Sequence, residues 1–210
     1  MLFWFLFVLC YIPLRIFYPI KVIGKKNLPK KQGFVFTCNH YSNLDPVIID
    51  ACLKRKVRFL AKKELFKNKF GGWLMKQIGA FPVDREKPEI STFKFAIKTL
   101  KENKILGVFP EGTRNKTGNN ELQEVKGGAI VFAGKGESLI VPAVLYKKTR
   151  FLRMNYLLIG EPLSIEAENI KRMTQEELEK NTLKLTEAMN KLREDFECKR
   201  KTKKGCNNAK

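Results

Sequence analysis

The chain has 210 residues, which gives room for one domain with a sizeable core rather than two. Its composition, 44% hydrophobic and 30% charged, is that of a folded protein, but 41 Lys and Arg against 21 Asp and Glu leave a formal net charge of +20. That excess favours an anionic partner, and nucleic acid, an anionic membrane surface and a phosphorylated substrate all qualify. The five cysteines (Cys10, Cys38, Cys52, Cys198, Cys206) lack the paired short spacings of zinc or thioredoxin-like sites, and there is one histidine. A metal centre is therefore not expected, and a reduced, cytosolic setting is.

The chain opens on MLFWFLFVLCYIPLRIFYPI, with no charge before Arg15. It lacks the basic start and small-residue cleavage site of a secretory signal. The run up to Leu14 would be roughly 21 Å long as a helix, short of a bilayer core of about 30 Å. Pro13 and Pro19 interrupt it, and its aromatics suit an interface. Residues 1–20 are therefore expected to form a membrane-anchoring segment dipping into one leaflet, with a full span or a buried core helix as the alternatives.

Beyond it, short apolar runs at 22–24, 33–38, 57–61, 81–84, 105–109, 139–145 and 156–159 suit strands, and helical patterns begin at Pro46, Phe66, Pro88 and Glu124. Strands alternating with helices predict an α/β fold with a mostly parallel sheet flanked by helices. The helix from Pro88 is expected to pack through Ile90, Phe93, Ile97 and Leu100. A capping box, Thr174 with Glu177, opens a last helix reaching about Glu197. The domain is set at 21–198, followed by a basic, disordered tail at 199–210.

Chemistry concentrates in two stretches. In GFVFTCNHYSNLDP (33–46) a strand ends at His40, and a short turn can fold Asp45 back onto the imidazole. A carboxylate on one ring nitrogen leaves the other free to take a proton from a hydroxyl. The plainer alternative is that Asp45 caps the helix beginning at Pro46. In ILGVFPEGTRN (105–115) a second strand ends in Glu111, Gly112, Thr113 and Arg114, whose guanidinium suits phosphate oxygens. Ligands of open α/β sheets gather beyond the carboxyl ends of strands, where both stretches lie. Cys38, two residues before His40, could in principle act as a nucleophile, but a buried strand cysteine is usually an apolar filler.

Together the N-H-x-x-x-x-D-P pattern at 39–46 and FPEGTR at 109–114 resemble the PlsC-like acyltransferases, the 1-acylglycerol-3-phosphate acyltransferase family. FLAKKEL (59–65), GAFPVDR (79–85) and IVPAVLY (140–146) agree in order and spacing. The resemblance covers about 22–146. It implies a glycerolipid acyltransferase-type fold and transfer of a fatty acyl group from acyl-CoA or acyl-ACP to 1-acylglycerol 3-phosphate, with no cofactor and no metal. It makes His40 the base, Asp45 its orienting carboxylate, and Glu111, Gly112, Thr113 and Arg114 acceptor-binding. Arg114 and Arg85 become the phosphate partners and Lys62 an electrostatic aid, with no nucleophile at Cys38. In one departure, QEVKGGA (123–129) lacks the aromatic that often precedes the family's Lys-x-Gly, so Lys126 receives no role. Acceptors other than lysophosphatidic acid, among them glycerol 3-phosphate, remain open. The expected setting is the cytoplasmic face of the cell membrane, with an anionic membrane surface as partner. A nucleic-acid-binding module is disfavoured by the absence of any base-reading motif.

Overall fold

The computed structural model describes residues 13–77, 79–84, 90–117, 119, 121–170 and 172–207. The apolar runs become strands β1 (Ile20–Ile23), β2 (Phe34–Cys38), β3 (Val57–Lys62), β4 (Phe81–Val83), β5 (Ile105–Val108), β6 (Leu139–Leu145) and β7 (Asn155–Ile159). They pair in the order β1-β7-β6-β2-β5-β3-β4. The neighbours of β2, namely β5 and β6, run parallel to it. β2 is buried along its whole length, as a central parallel strand covered on both faces should be. The sheet is mixed, because β7 runs antiparallel to β6 and carries β1 parallel to itself. The link between β6 and β7 holds no helix, and a parallel crossover would need one.

Alternation along the strands divides the core in two. Phe34, Phe36 and Cys38 point to one face, where helix α1 (Asp45–Leu53) supplies Ile48, Ile49 and Cys52. Val35, Leu106 and Ile140 point to the other, under α3 (Ile90–Lys101), α4 (Gly128–Lys135) and α5 (Gln175–Asn207). Between these helices in sequence, α2 (Lys69–Gln77) follows a 3-10 turn at Lys63–Phe66. Of the expected packing face of α3, Leu100 is buried and Phe93 packs on the core, but Ile90 does not. Thr92, Ala96, Thr99 and Leu100 are buried, whereas Ile90 is 74% exposed. The capping box at the start of α5 forms as read: Glu177 N donates to Thr174 Oγ1 at 3.2 Å and Thr174 N to Glu177 Oε2 at 2.8 Å. The helix then continues past Glu197 to Asn207.

The expected membrane-anchoring segment at 1–20 is corrected. Residues 1–12 lie outside the described residues, and no helix among the described ones is long and apolar enough to cross a membrane. The end of the segment is instead stitched into the domain. Leu14 packs on the core, and Arg15 Nη1 donates to Ile20 O at 3.0 Å. Leu152 N donates to Phe17 O at 2.6 Å and Asn155 N to Pro19 O at 2.8 Å. The physical reason is that β7 would otherwise leave a row of unpaired backbone groups, and β1 from Ile20 onward supplies partners for them.

Asp50 joins α1 to β3: its Oδ1 accepts the Val57 N–H at 2.8 Å while the residue is buried. Burial pushes its carboxyl up to about 8, with the Val57 amide and Lys56 pulling partly back. The fold therefore prefers the neutral acid, so this group's contribution is present below its unfolded value and is lost as pH rises through the folded one. Asp50→Asn keeps the neutral shape at every pH. Unfolding measured from about pH 4 to about pH 9 should show the variant gaining on the wild type as pH rises, and a constant difference would contradict the assignment.

Candidate active site

Because β2 and β5 pair in parallel with Thr37 opposite Val108, the segments that follow them emerge side by side. One carries His40 and the other Glu111 to Arg114. The two are tied directly, the Asn115 N–H donating to His40 O at 2.7 Å. On the other flank Asn39 is buried and pairs with the end of β6 as though it were backbone. Its Nδ2 donates to Leu145 O at 3.0 Å, and its Oδ1 accepts from Leu145 N at 2.8 Å. His40 thus sits on a strand end fixed from both sides.

His40 Nδ1 lies 2.9 Å from Asp45 Oδ2. The same oxygen accepts the backbone N–H groups of Tyr41 at 2.6 Å and Ser42 at 2.7 Å. Asp45 is the first residue of α1, after Leu44 as its N-cap, and Pro46 follows in the first turn. Its carboxylate turns back into the preceding loop, so the capping alternative is replaced by a buried carboxylate held on an imidazole. Asp45 is fully buried, and its Oδ1 has no hydrogen-bond partner.

The ring of His40 is stacked on Phe109 at 3.9 Å between centroids, and Phe109 on Phe59 at 5.2 Å. Gly107 makes that pile possible, since a Cβ there would come within 2.4 Å of the Phe59 ring. The stack fixes the imidazole plane, and Nε2 is the ring nitrogen with no hydrogen-bond partner among the described residues.

A cleft of about 370 Å³ opens beside the ring, lined by His40, Asn43, Phe59, Lys62, Phe109 and Arg114 among others. Arg114 Nη1 donates to Asn43 Oδ1 at 3.0 Å, which steadies the guanidinium at the rim. Lys62, the last residue of β3, is half-exposed with Glu64 Oε1 at 3.7 Å. Glu111 is buried behind the dyad, and neither carboxyl oxygen reaches hydrogen-bond geometry with a partner. Burial pushes its carboxyl up to about 7, the His40 amide opposing and the charge of Asp45 adding to the rise. Gly112 has φ 69, a left-handed turn that favours glycine, and the Lys126 side chain lies over it. Thr113 is exposed, with its hydroxyl 3.5 Å from Gln123 Oε1. Arg85 lies outside the described residues. Cys38 is buried, and burial together with Asp45 pushes its thiol well up, the opposite of a nucleophile's environment. Among the described residues no group of His, Cys, Asp and Glu could hold a metal ion.

The sequence reading missed Asn39 as a clamp, the Phe59–Phe109 stack and Asn43 as the seat of Arg114. Only Asn39 left a local signal, as a polar residue directly after the mostly apolar strand FVFTC.

A family model described as Acyltransferase matches residues 19–146, and the chain belongs to that family, in its PlsC-like branch. The 1-acyl-sn-glycerol-3-phosphate acyltransferase of Bacillus subtilis is 42% identical over 69% of this chain and 73% of its own length. The Streptococcus pneumoniae enzyme of the same name is 35% identical over 70% of the chain, and that of Saccharomyces cerevisiae 34% over 65%. The chain spans about half of these last two, 56% and 46%. The crystal structure of the 1-acyl-sn-glycerophosphate (LPA) acyltransferase PlsC from Thermotoga maritima shares the fold, with a TM-score of 0.64 over 85% of this chain and 73% of that one, at 24% identity.

The single histidine makes its imidazole nitrogens unambiguous by nitrogen NMR. The wild type should carry its proton on Nδ1. Asp45→Ala, which removes the acceptor, should let the Nε2 tautomer become populated, whereas in Asp45→Asn the amide oxygen still faces the Tyr41 and Ser42 N–H groups and can keep the proton on Nδ1; an unchanged tautomer in Asp45→Ala would mean that Asp45 does not set it.

Proposed function

We infer that the protein transfers a fatty acyl group from acyl-CoA or acyl-ACP to the free hydroxyl of 1-acyl-sn-glycerol 3-phosphate, giving phosphatidic acid for phospholipid biosynthesis. Family membership supports the reaction class, and the named relatives support the acceptor. The observation that carries the assignment of residues is the buried carboxylate turned away from its own helix onto His40 Nδ1.

In this scheme Asp45 holds the Nδ1 proton, and Nε2 takes the proton of the acceptor hydroxyl as its oxygen attacks the thioester carbonyl. The tetrahedral adduct collapses, the C–S bond breaks, and the thiolate recovers the proton from the imidazolium. Asp45 stabilises that cation while it lasts. Arg114, with Arg85, takes the acceptor phosphate, and Lys62 adds positive charge at the rim. Glu111, Gly112 and Thr113 shape the acceptor side. The Phe59 and Phe109 rings give the cleft an apolar wall against an acyl chain.

An amphiphilic acceptor that partitions into bilayers and a water-soluble thioester donor support a location on the cytoplasmic face of the cell membrane, with anionic lipid as its partner surface. The net charge of +20 suits such a surface. Nucleic acid has no part in this scheme.

His40→Ala should lower acyl transfer to lysophosphatidic acid by about 10² to 10⁴ with the fold intact, since no other imidazole can substitute. Retention of more than about a tenth of the rate would remove His40 as the base. Asp45→Asn should lose less, because the base remains.

Arg114→Lys should raise the KM for a phosphate-bearing acceptor while the melting temperature holds, because a point charge replaces a planar fork. Unchanged saturation in both Arg114→Lys and Arg85→Lys would put the phosphate elsewhere.

A further inference from the structure

The segment joining β6 to β7, within YKKTRFLRMNY at 146–156, has four cations and no acid. β6 and β2 are parallel, and Leu145 is bonded to Asn39, so this loop leaves the sheet at the same end as His40. At its tip Phe151 is 55%, Leu152 60% and Met154 57% exposed. Exposed side chains of this size are common singly, but three on one ordered tip call for a partner.

The tip is built rather than loose. Asn155, itself buried, accepts from Arg150 N at 2.8 Å and donates to Arg150 O at 3.1 Å and Arg153 O at 2.7 Å. Leu152 is held at φ 51, a left-handed conformation unfavourable for a bulky residue, with its N–H donating to Phe17 O at 2.6 Å. Phe151 stacks on Phe17 at 5.3 Å. The fold therefore maintains backbone strain in order to present apolar side chains to the outside.

Behind the tip lies a cleft of about 310 Å³ lined by Lys147, Lys148, Arg150, Arg153 and Arg200 with Tyr146 and Tyr156, and by no carboxylate. Arg200, from the extra turns of α5, lies 5.4 Å from the centroids of both Tyr146 and Tyr156 and 5.7 Å from that of Phe196. Stacked in this way, its guanidinium keeps its in-plane donors for an anion. None of the five cations is ion-paired to a described residue.

We propose that the 146–154 loop is a docking site for an anionic lipid bilayer, with Phe151, Leu152 and Met154 entering the interfacial region and the cationic cleft receiving lipid phosphates. Apolar tips beside cations that have no ion pair among the described residues match the two layers of such a surface, its acyl boundary and its charged headgroups. A soluble anion would use the cleft and leave the tips without a purpose. Docking here brings the catalytic end of the sheet to the membrane. The proposal rests on the lipid-acceptor function above, and its test is separable from it.

The full chain is floated with vesicles of phosphatidylcholine alone or with one fifth phosphatidylglycerol, and acyl transfer is assayed in parallel on detergent-dispersed lysophosphatidic acid. Phe151→Ser with Leu152→Asn should reduce binding to anionic vesicles at least tenfold, Asn being more at ease at positive φ. Lys147→Gln with Lys148→Gln and Arg153→Gln should cost about fivefold per charge and abolish the preference for anionic vesicles. Rates in detergent should stay unchanged in both variants. Leu152→Trp, which keeps an apolar tip, should bind as the wild type does and add a blue-shifted emission quenched by brominated lipid. Wild-type vesicle binding by the tip variant, or an unquenched tryptophan, overturns the proposal. So does a charge variant whose KM for acyl-CoA rises while its vesicle binding holds, since the cleft would then serve the soluble donor. Loss of transfer in detergent by His40→Ala alone bears on the catalytic assignment and leaves this site untouched.

Discussion

The Asp45 carboxylate is the contact around which the catalytic end is arranged. One of its oxygens collects three donors, the imidazole Nδ1 and the amides of Tyr41 and Ser42, while the other is buried without a partner. Burying a carboxylate is costly unless its hydrogen bonds are made, and amides fixed by the turn make two of them whatever the imidazole does. The loop must therefore close tightly over α1, and this closure sets the position of His40. Removing Asp45 would leave two amides and an imidazole without their acceptor, so its role in folding and its role in orienting the ring share one geometry.

The imidazole needs a second constraint, because one hydrogen bond fixes a point and not a plane. The stack of Phe59, Phe109 and His40 supplies it, and it exists because β5 has glycine at 107. A small residue inside a buried strand normally weakens the sheet. Here the missing side chain is filled by the Phe59 ring, so the sheet keeps its packing and gains a platform for the imidazole. The bond from Asn115 N to His40 O and the Asn39 clamp on Leu145 complete the frame from the two neighbouring strand ends.

Much of this was legible in the sequence, for reasons that differ by residue. The strands were readable because parallel strands buried on both faces are nearly continuous apolar runs, as FVFTC and LIVPAVL are. The capping box was readable because its partners lie three residues apart. Pattern misled where a local signal had two meanings. Asp-Pro reads as a helix start, which it is, but the aspartate's side chain faces the other way. Ile90 falls on the expected stripe of α3, yet it is the helix's first residue and stays exposed. The apolar residues near Ile20 looked like part of an anchor because an edge strand and a membrane segment are written in the same residues. The stack on His40 and the seat of Arg114 on Asn43 join residues far apart in sequence, and no periodicity announces such contacts.

The distribution of charge decides how the site can work. The surface is strongly basic, whereas the interior near the imidazole holds two carboxyl groups, Asp45 and Glu111. Two full negative charges so close together in a buried site are costly, because each disfavours the ionisation of the other. Desolvation and the charge of Asp45 push Glu111 up to about 7, so near neutrality much of it is uncharged. One carboxylate then orients the ring while the other carries only part of a negative charge. In the proposed reaction Nε2, which has no partner among the described residues, is available to a hydroxyl, and the guanidinium of Arg114, steadied by an amide rather than a carboxylate, is available to the acceptor phosphate.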